Sequence, residues 1–321
     1  MLFRSRPTLA VTASSRTDSV AARVGLLLAV TALALLLQRA IATRFAHGAQ
    51  TIRPLEMREQ PLVRRVLASA YVLLLTGLAL LPVATVVVSS FLEANGPLLV
   101  ARLTLDNYRA IARNLELPLA NTLLFTSAAT LLCAVAGTAI AYVVVRRRGR
   151  VTGLLDMVIM FSYAVPGIVL GVGLVVAFNE PPMLLTGTAT IIVLAYFIRR
   201  LPFSVRSAVA MLQQVARDAE DASTNLGAGP LRTFLLVTVP MISAGILSGA
   251  LLTWSNTIRE LSATLILQSG STATMSVSIF TEVVNANFGL AAAHGTILIA
   301  LTFVPLAILF RFMGKREEVL V

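Results

Sequence analysis

The sequence predicts an all-α membrane protein that crosses the bilayer several times, and three observations carry that prediction. The 321 residues are 57% hydrophobic and only 13% charged, where a soluble domain carries roughly 25% charged residues. Mean hydropathy is +0.86. Uncharged runs of about 18 residues or more, long enough for a membrane span, recur along the chain with short arginine clusters between them. The formal net charge of +11 therefore follows the positive-inside pattern. It does not form the basic groove with aromatic platforms that nucleic-acid binding uses, so no nucleic-acid partner is expected. The single cysteine, Cys133, lies within an apolar run, which excludes intrachain disulfides and cysteine-ligated zinc.

Residues 1–23 contain Arg4, Arg6, Arg16 and Arg23, and an apolar run follows over 24–37. A basic start and a short apolar core fit a signal peptide. Gln38-Arg39 follows directly, however, without a small-x-small cleavage site, so the run reads as a span extended through 42. Residues 43–65 are polar and read as a cytoplasmic linker. Spans are then expected over 66–91, 117–145 and 157–179, over about eighteen residues ending at Ile198, and over 234–258 and 290–310. Pro82 is expected to kink the first of these. Residues 93–116, with Leu105-Asp106-Asn107-Tyr108, form a polar excursion.

Orientation follows from arginine counting. Segments 43–65, 146–153, 199–232 and 311–316 are arginine-rich, while the loops around Glu180 and Asn285 have none. Alternating these sides gives a six-span unit over 66–321 with both ends cytoplasmic. The excursion between the first two spans, with Arg102, Arg109 and Arg113, is the exception. The additional N-terminal span must then end inside. Thr8-Leu9-Ala10-Val11-Thr12 is similar to Thr274-Met275-Ser276-Val277-Ser278, and each precedes a polar stretch and an apolar run ended by Arg39 or Arg311. On that short repeat, residues 1–42 are expected to be the remnant of an upstream half, one outside segment plus one span.

A cytoplasmic acidic stretch organises the rest. Asp218, Glu220 and Asp221 place three of the chain's fifteen carboxylates within four residues. The spacing predicts a short helix stopped at Gly227 and restarted at Pro230. On that helix Asp218, Asp221 and Asn225 share one face, and Ala219, Ala222 and Leu226 form an apolar strip. A solvated helix face is the plain alternative, but anionic headgroups repel carboxylates. An apolar strip flanked by carboxylates fits a helix laid into a partner's groove.

Bond chemistry has no machinery here, and no catalytic or metal-ligating residue is expected. The only lysine, Lys315, lies in Met313-Gly314-Lys315-Arg316, so a phosphate-binding Walker loop is absent. His47 and His294 are the only histidines. His294 is either functional at membrane depth or an interfacial polar residue. Arg259 and Glu260 have two open readings, an interfacial pair worth under about 1 kcal/mol if exposed or part of a gate. Pro166 and its neighbouring glycines suit a kink and close helix approach in a pathway wall.

Asp221-Ala222-Ser223, three residues, Gly227, nine residues, then Val237-Thr238-Val239-Pro240 resembles the coupling loop of binding-protein-dependent ABC importer permeases, Glu-Ala-Ala-x3-Gly-x9-Ile-x-Leu-Pro. Asp221, Ser223, Val237 and Val239 depart conservatively, whereas Gly227 and Pro240 match in spacing. The resemblance extends over 66–321, through Tyr163-Ala164-Val165-Pro166-Gly167 and Arg259-Glu260-Leu261-Ser262, and is nearest to ferric-iron permeases. It implies a six-span permease core in the inner membrane with a cytoplasmic coupling loop at 199–234. Asp218, Glu220, Asp221, Ala222, Ser223, Leu226, Gly227 and Pro240 would serve docking. Tyr163, Pro166, Gly167, Asn256, Arg259 and Glu260 would line a pathway or gate. The implied partners are a cytoplasmic ABC ATPase dimer, an extracytoplasmic substrate-binding protein, a second permease half and the lipid bilayer. No cofactor binds this chain, and ATP with magnesium is used by the ATPase. The implied cargo is ferric iron, with thiamine, 2-aminoethylphosphonate or polyamine as alternatives in the same class. A proton-coupled secondary transporter and a membrane scaffold are the rivals from other classes.

Overall fold

The computed structural model describes residues 61–317 apart from 97, 114 and 148. Contacts divide the chain into Met1–Arg65 and Val66–Val321, and the second unit carries the fold discussed below. The expected N-terminal span, the remnant over 1–42 and most of the linker lie outside the described residues.

Helix α1, Leu62–Ser90, runs continuously through Pro82. A short antiparallel hairpin, β1 (Leu92–Asn95) with β2 (Leu98–Leu103), follows, and then α2, Asp106–Ala112. The polar excursion is thus a small ordered cap. Asn107 fastens it by donating from Nδ2 to the carbonyls of Ser90 (3.0 Å) and Leu92 (2.8 Å), which satisfies the strand entry. Helix α3 is Glu116–Arg146. Helices α4 (Arg150–Ala164) and α5 (Gly167–Ala177) meet at 108°. Helix α6 is Ala189–Gln214 and α7 is Asp218–Asn225. Next come α8 (Pro230–Thr233), a π-helical turn over Phe234–Thr238, α9 (Val239–Met241) and α10 (Ser243–Thr257). The chain continues with α11 (Ser262–Leu267), α12 (Met275–Val284) and α13 (Phe288–Glu317).

By length and composition, three described helices can each cross a membrane: Leu62–Ser90, Glu116–Arg146 and Phe288–Ala307. The bent pairs Arg150–Ala164 with Gly167–Ala177, and Pro230–Met241 with Ser243–Thr257, raise that number to five. Helix α6, with 26 residues, is about 39 Å long at 1.5 Å per residue but carries Arg199, Arg200 and Arg206. These six segments overlap those the hydropathy pattern predicts, the fourth only in part because its helix begins at Ala189, with three differences in detail.

The third segment is broken rather than kinked. Pro166 disfavours helical backbone at the residue before it, and Val165 is extended at φ −70°, ψ 124°. The fourth does not stop at Arg199-Arg200. It continues to Gln214, because both guanidiniums find a buried partner instead of water. The fifth bends by 73° just after Pro240. That proline has no N–H for the carbonyl of Leu236 and would crowd it, and the wider π turn immediately before it relieves the clash.

Helix α6 lies at the centre. Ile191, Ala195 and Tyr196 join Phe125 and Ala129 of α3, Leu174 of α5 and Ala263 and Leu267 of α11 in one buried cluster. One helical stretch further on, Val205, Ala208, Val209 and Leu212 pack with Ala141, Ile159 and Ile242 in another. Within each cluster these α6 positions recur at intervals of one, three and four, so each set lies on one face of the helix. Small residues let the neighbours approach closely, as membrane helices require. A Cβ added at Gly137 of α3 would lie 2.7 Å from Ser204 Cβ, and one at Gly249 of α10 would lie 2.9 Å from Ser204 Cα.

A candidate coupling helix and a buried ion-pair centre

Helix α7 has Asp218, Glu220 and Asp221 in its first turn, where the unpaired N–H groups of a helix start favour negative charge. Its end is a Schellman turn. Gly227 takes φ +85°, its N–H donates to Thr224 O (2.9 Å), and the N–H of Ala228 donates to Ser223 O (3.1 Å). Pro230 then opens α8 at the position where its missing N–H costs nothing. Ser223 and Thr233 close the corner through their hydroxyls at 3.0 Å.

The helix has two different faces. Asp218, Asp221, Ala222 and Asn225 are exposed, and Leu226 is 89% exposed. Leu231, Leu235 and Leu236 continue the apolar surface beside it. Glu220, grouped by sequence with the docking carboxylates, turns the other way and is only 8% exposed. Its Oε1 accepts from Arg146 Nη2 (3.0 Å), Arg146 Nε (3.2 Å) and Thr238 Oγ1 (3.0 Å). Arg146 also donates to the Val215 carbonyl at 3.4 Å. Neither Arg146 nor Thr238 carried a signal in the chain, since one read as a span end and the other as part of a loop motif. Glu220 did carry one: it lies about 200° around the helix from Asp218, off both the acidic and the apolar strip. Pro240 is exposed and lies in α9, directly after the π turn.

The second centre is Glu260, 5% exposed. Arg199 Nη1 donates to its Oε1 at 2.5 Å, Arg200 Nη2 donates to Oε2, and the backbone N–H of Ala263 donates to Oε1 at 3.3 Å. Gly167 packs against the same arginine. A Cβ there would fall 2.6 Å from Arg199 Nη1 and 2.8 Å from Ser262 Cβ. So of the candidate gate residues, Gly167 and Glu260 meet at Arg199, a residue that sequence reasoning assigned to a span end. Tyr163, at the end of α4, is exposed and stacks edge-on against Phe203 at 5.4 Å between ring centroids. Pro166 is exposed beside it.

Arg259 parts company with its neighbour. It is exposed, reaches Asn256 Oδ1 only at 3.5 Å, and lines a cavity of about 710 Å³ with α1, α12 and α13 residues such as Val86, Ser89, Phe288 and Leu298. Adjacent in sequence, Arg259 and Glu260 are not a pair. Asn256 is half-buried and donates back to the Leu252 carbonyl at 2.8 Å. His294 is buried, with Nδ1 3.0 Å from the Leu290 carbonyl of its own helix.

Residues 133–317 match the family described as binding-protein-dependent transport system inner membrane component. The chain belongs to that family. Both clusters, from Arg146 to Glu260, fall inside the matched stretch. As a member it is a multi-pass inner-membrane component of a binding-protein-dependent transport system, a permease in kind.

Among relatives, the permease is 33% identical over 202 residues to the ferric transport system permease protein FbpB of Actinobacillus pleuropneumoniae, covering 61% of this chain and 29% of that one. It is 30% identical over 148 residues to a putative 2-aminoethylphosphonate transport system permease protein PhnV of Salmonella typhimurium, covering 46% of this chain and 56% of the relative. The match thus spans less than a third of the ferric relative's length. Among solved structures, a chain of a bacterial ABC transporter that imports the acidic polysaccharide alginate superposes with TM-score 0.59 at 14% identity, over 80% of this chain and 99% of that one. A chain of the MetNI methionine ABC transporter gives 0.50 at 17% identity, over 67% and 97%. These likenesses carry the fold of the permease.

Proposed function

We propose that this permease carries ferric iron across the inner membrane, that an extracytoplasmic binding protein delivers the iron, and that a separate ATPase dimer drives the cycle by docking on α7. The observation that carries the docking is the two-faced helix. Asp218, Asp221, Ala222 and Leu226 are presented outward on a helix that Gly227 terminates and Glu220 anchors. An exposed apolar strip beside carboxylates fits a groove in a partner. Arg146 and Arg217 contact each other beside α7, and Arg147, Arg150 and Arg232 lie close to it along the chain, which supports a cytoplasmic side for α7; the C-terminus, with Arg311, Lys315 and Arg316, is proposed to lie on the same side.

Closure of the ATPase dimer would move α7, and the attached spans would exchange an inward-open for an outward-open cavity. Iron is supported by the ferric transport permeases among the relatives. A proton-coupled carrier needs an intramembrane carboxylate free to change its charge, whereas, among the described residues, the buried Asp156, Glu220 and Glu260 each pair with an arginine.

Uptake in cells that express or lack the chain tests the cargo. Ferric iron, thiamine, 2-aminoethylphosphonate and spermidine are offered separately. Loss of ferric iron uptake alone, restored by the cloned chain, is the expected result. Unchanged iron uptake with loss of another substrate overturns the iron assignment.

A further inference from the structure

An eight-residue helix cannot hold itself together in water, because helix nucleation is unfavourable and short helices depend on tertiary contacts. A push on α7 reaches the spans only through what ties it to them. Along the chain those ties are short loops at 215–217 and 226–229. Through space they converge on one carboxylate oxygen. Glu220 Oε1 takes hydrogen bonds from Arg146, the last residue of α3, and from Thr238, the last residue of the π turn. Arg146 in turn holds the Val215 carbonyl that closes α6, and Arg217 Nη2 donates back to the Arg146 carbonyl at 3.4 Å. Thr238 is fully buried. Three spans and α7 therefore share a single buried polar knot, in which losing Arg146 leaves a buried carboxylate without a counter-charge and losing Thr238 removes one of its hydrogen bonds.

We propose that Glu220 is a positioning residue for coupling: with Arg146 and Thr238 it clasps α7 to the ends of α3, α6 and the π turn, so that docked ATPase motion reaches the spans. Asp218, Asp221 and Leu226 hold the ATPase, and the clasp transmits. The clasp rests on the docking reading above, and it adds that binding and transmission are separable.

The test uses the assembled permease–ATPase complex in lipid nanodiscs, with a spin label on Val176→Cys of α5, an exposed position; the native Cys133 is buried. ATP with vanadate is the stimulus, and two quantities are read: basal ATPase activity and the change in label mobility. Thr238→Val keeps shape and removes the donor, whereas Thr238→Ser keeps the donor. A hydrogen bond to a charged group shifts a two-state population on the order of tenfold or more. Thr238→Val is expected to retain bound ATPase and basal hydrolysis while the label response falls about tenfold, and Thr238→Ser is expected to respond like the native complex. A native label response in Thr238→Val, with hydrolysis intact, overturns the clasp and leaves docking standing. Full retention of the ATPase by Asp221→Arg strikes the docking reading itself.

Discussion

Arg199 and Glu260, sixty-one positions apart, meet at 2.5 Å where the break between α4 and α5 packs against the start of α11. Arg200 donates to the other oxygen of the same carboxylate. One carboxylate thus serves two guanidiniums, all three nearly buried. Such a centre is held together more tightly by what breaking it costs than by what forming it gains.

Removing the carboxylate is accordingly expected to be severe. Glu260→Gln leaves two buried guanidiniums without a counter-charge, a loss of about 3–5 kcal/mol by analogy with broken buried pairs. Thermal unfolding of the detergent-solubilised protein reads it as a large fall in Tm. A Tm equal to that of the native protein contradicts the buried pairing.

The same arginines show where the sequence misleads. Charges inside a long apolar segment read as its end, because a lone guanidinium in the bilayer is costly. The partner that removes that cost is sixty residues away and cannot be seen in the local pattern. Pro202, two residues past Arg200, strengthens that misreading, since a proline disfavours helical backbone at the residue before it, yet the helix runs through it to Gln214. By contrast, the positions of the six apolar segments were legible, because span length and charge punctuation are properties of the chain alone. The break at Pro166 was legible as a weak point, but its 108° angle was not. Packing of Gly167 on Arg199 and of Gly171 on Ile266 accompanies that angle. At the end of α7, Gly227 was legible because its conformation is local. The inward turn of Glu220 depends on Arg146, whose place beside α7 only the folded chain reveals.

Gly227 offers a second test. At φ +85° a β-branched residue is strained by roughly 1–2 kcal/mol or more. Gly227→Val is expected to fray the end of α7 and reduce ATPase coupling, and Gly227→Asn, which tolerates this backbone, to keep most of it. The ratio of transport to hydrolysis in proteoliposomes distinguishes them. Equal ratios for both variants contradict the Schellman ending.

Close helix approach makes a third prediction. Gly137→Leu drives a side chain into Ser204 and the backbone of Val205, and overpacking of this kind costs about 1–3 kcal/mol or more. The variant should still insert, since the span becomes more apolar, but should unfold at lower temperature. Unchanged thermal stability contradicts the packing of α3 on α6.

The cap outside the spans has a defined acid response. The Thr104 hydroxyl and then the Arg109 guanidinium hold the Asp106 carboxyl below its ordinary value of 3.8. A carboxyl lowered in the folded state adds stability that is present above pH 3.8 and is lost as the pH falls through the folded value. Amide exchange across 104–112 is therefore expected to stay slow on acidification to pH 4 and to quicken, relative to the intrinsic rate, only well below it. Quickening above pH 5 contradicts the arrangement.

The central claim is that the outward face of α7 is the surface on which an ATPase acts. Retention of the purified ATPase subunit by the immobilised permease measures it most directly, with native protein compared with Asp221→Arg and Leu226→Glu, two changes on exposed side chains that leave the Glu220 clasp untouched. Retention should fall at least tenfold in both variants, an effect of about 1.4 kcal/mol, while membrane insertion and Tm stay unchanged. Native-level retention by both variants would contradict the account.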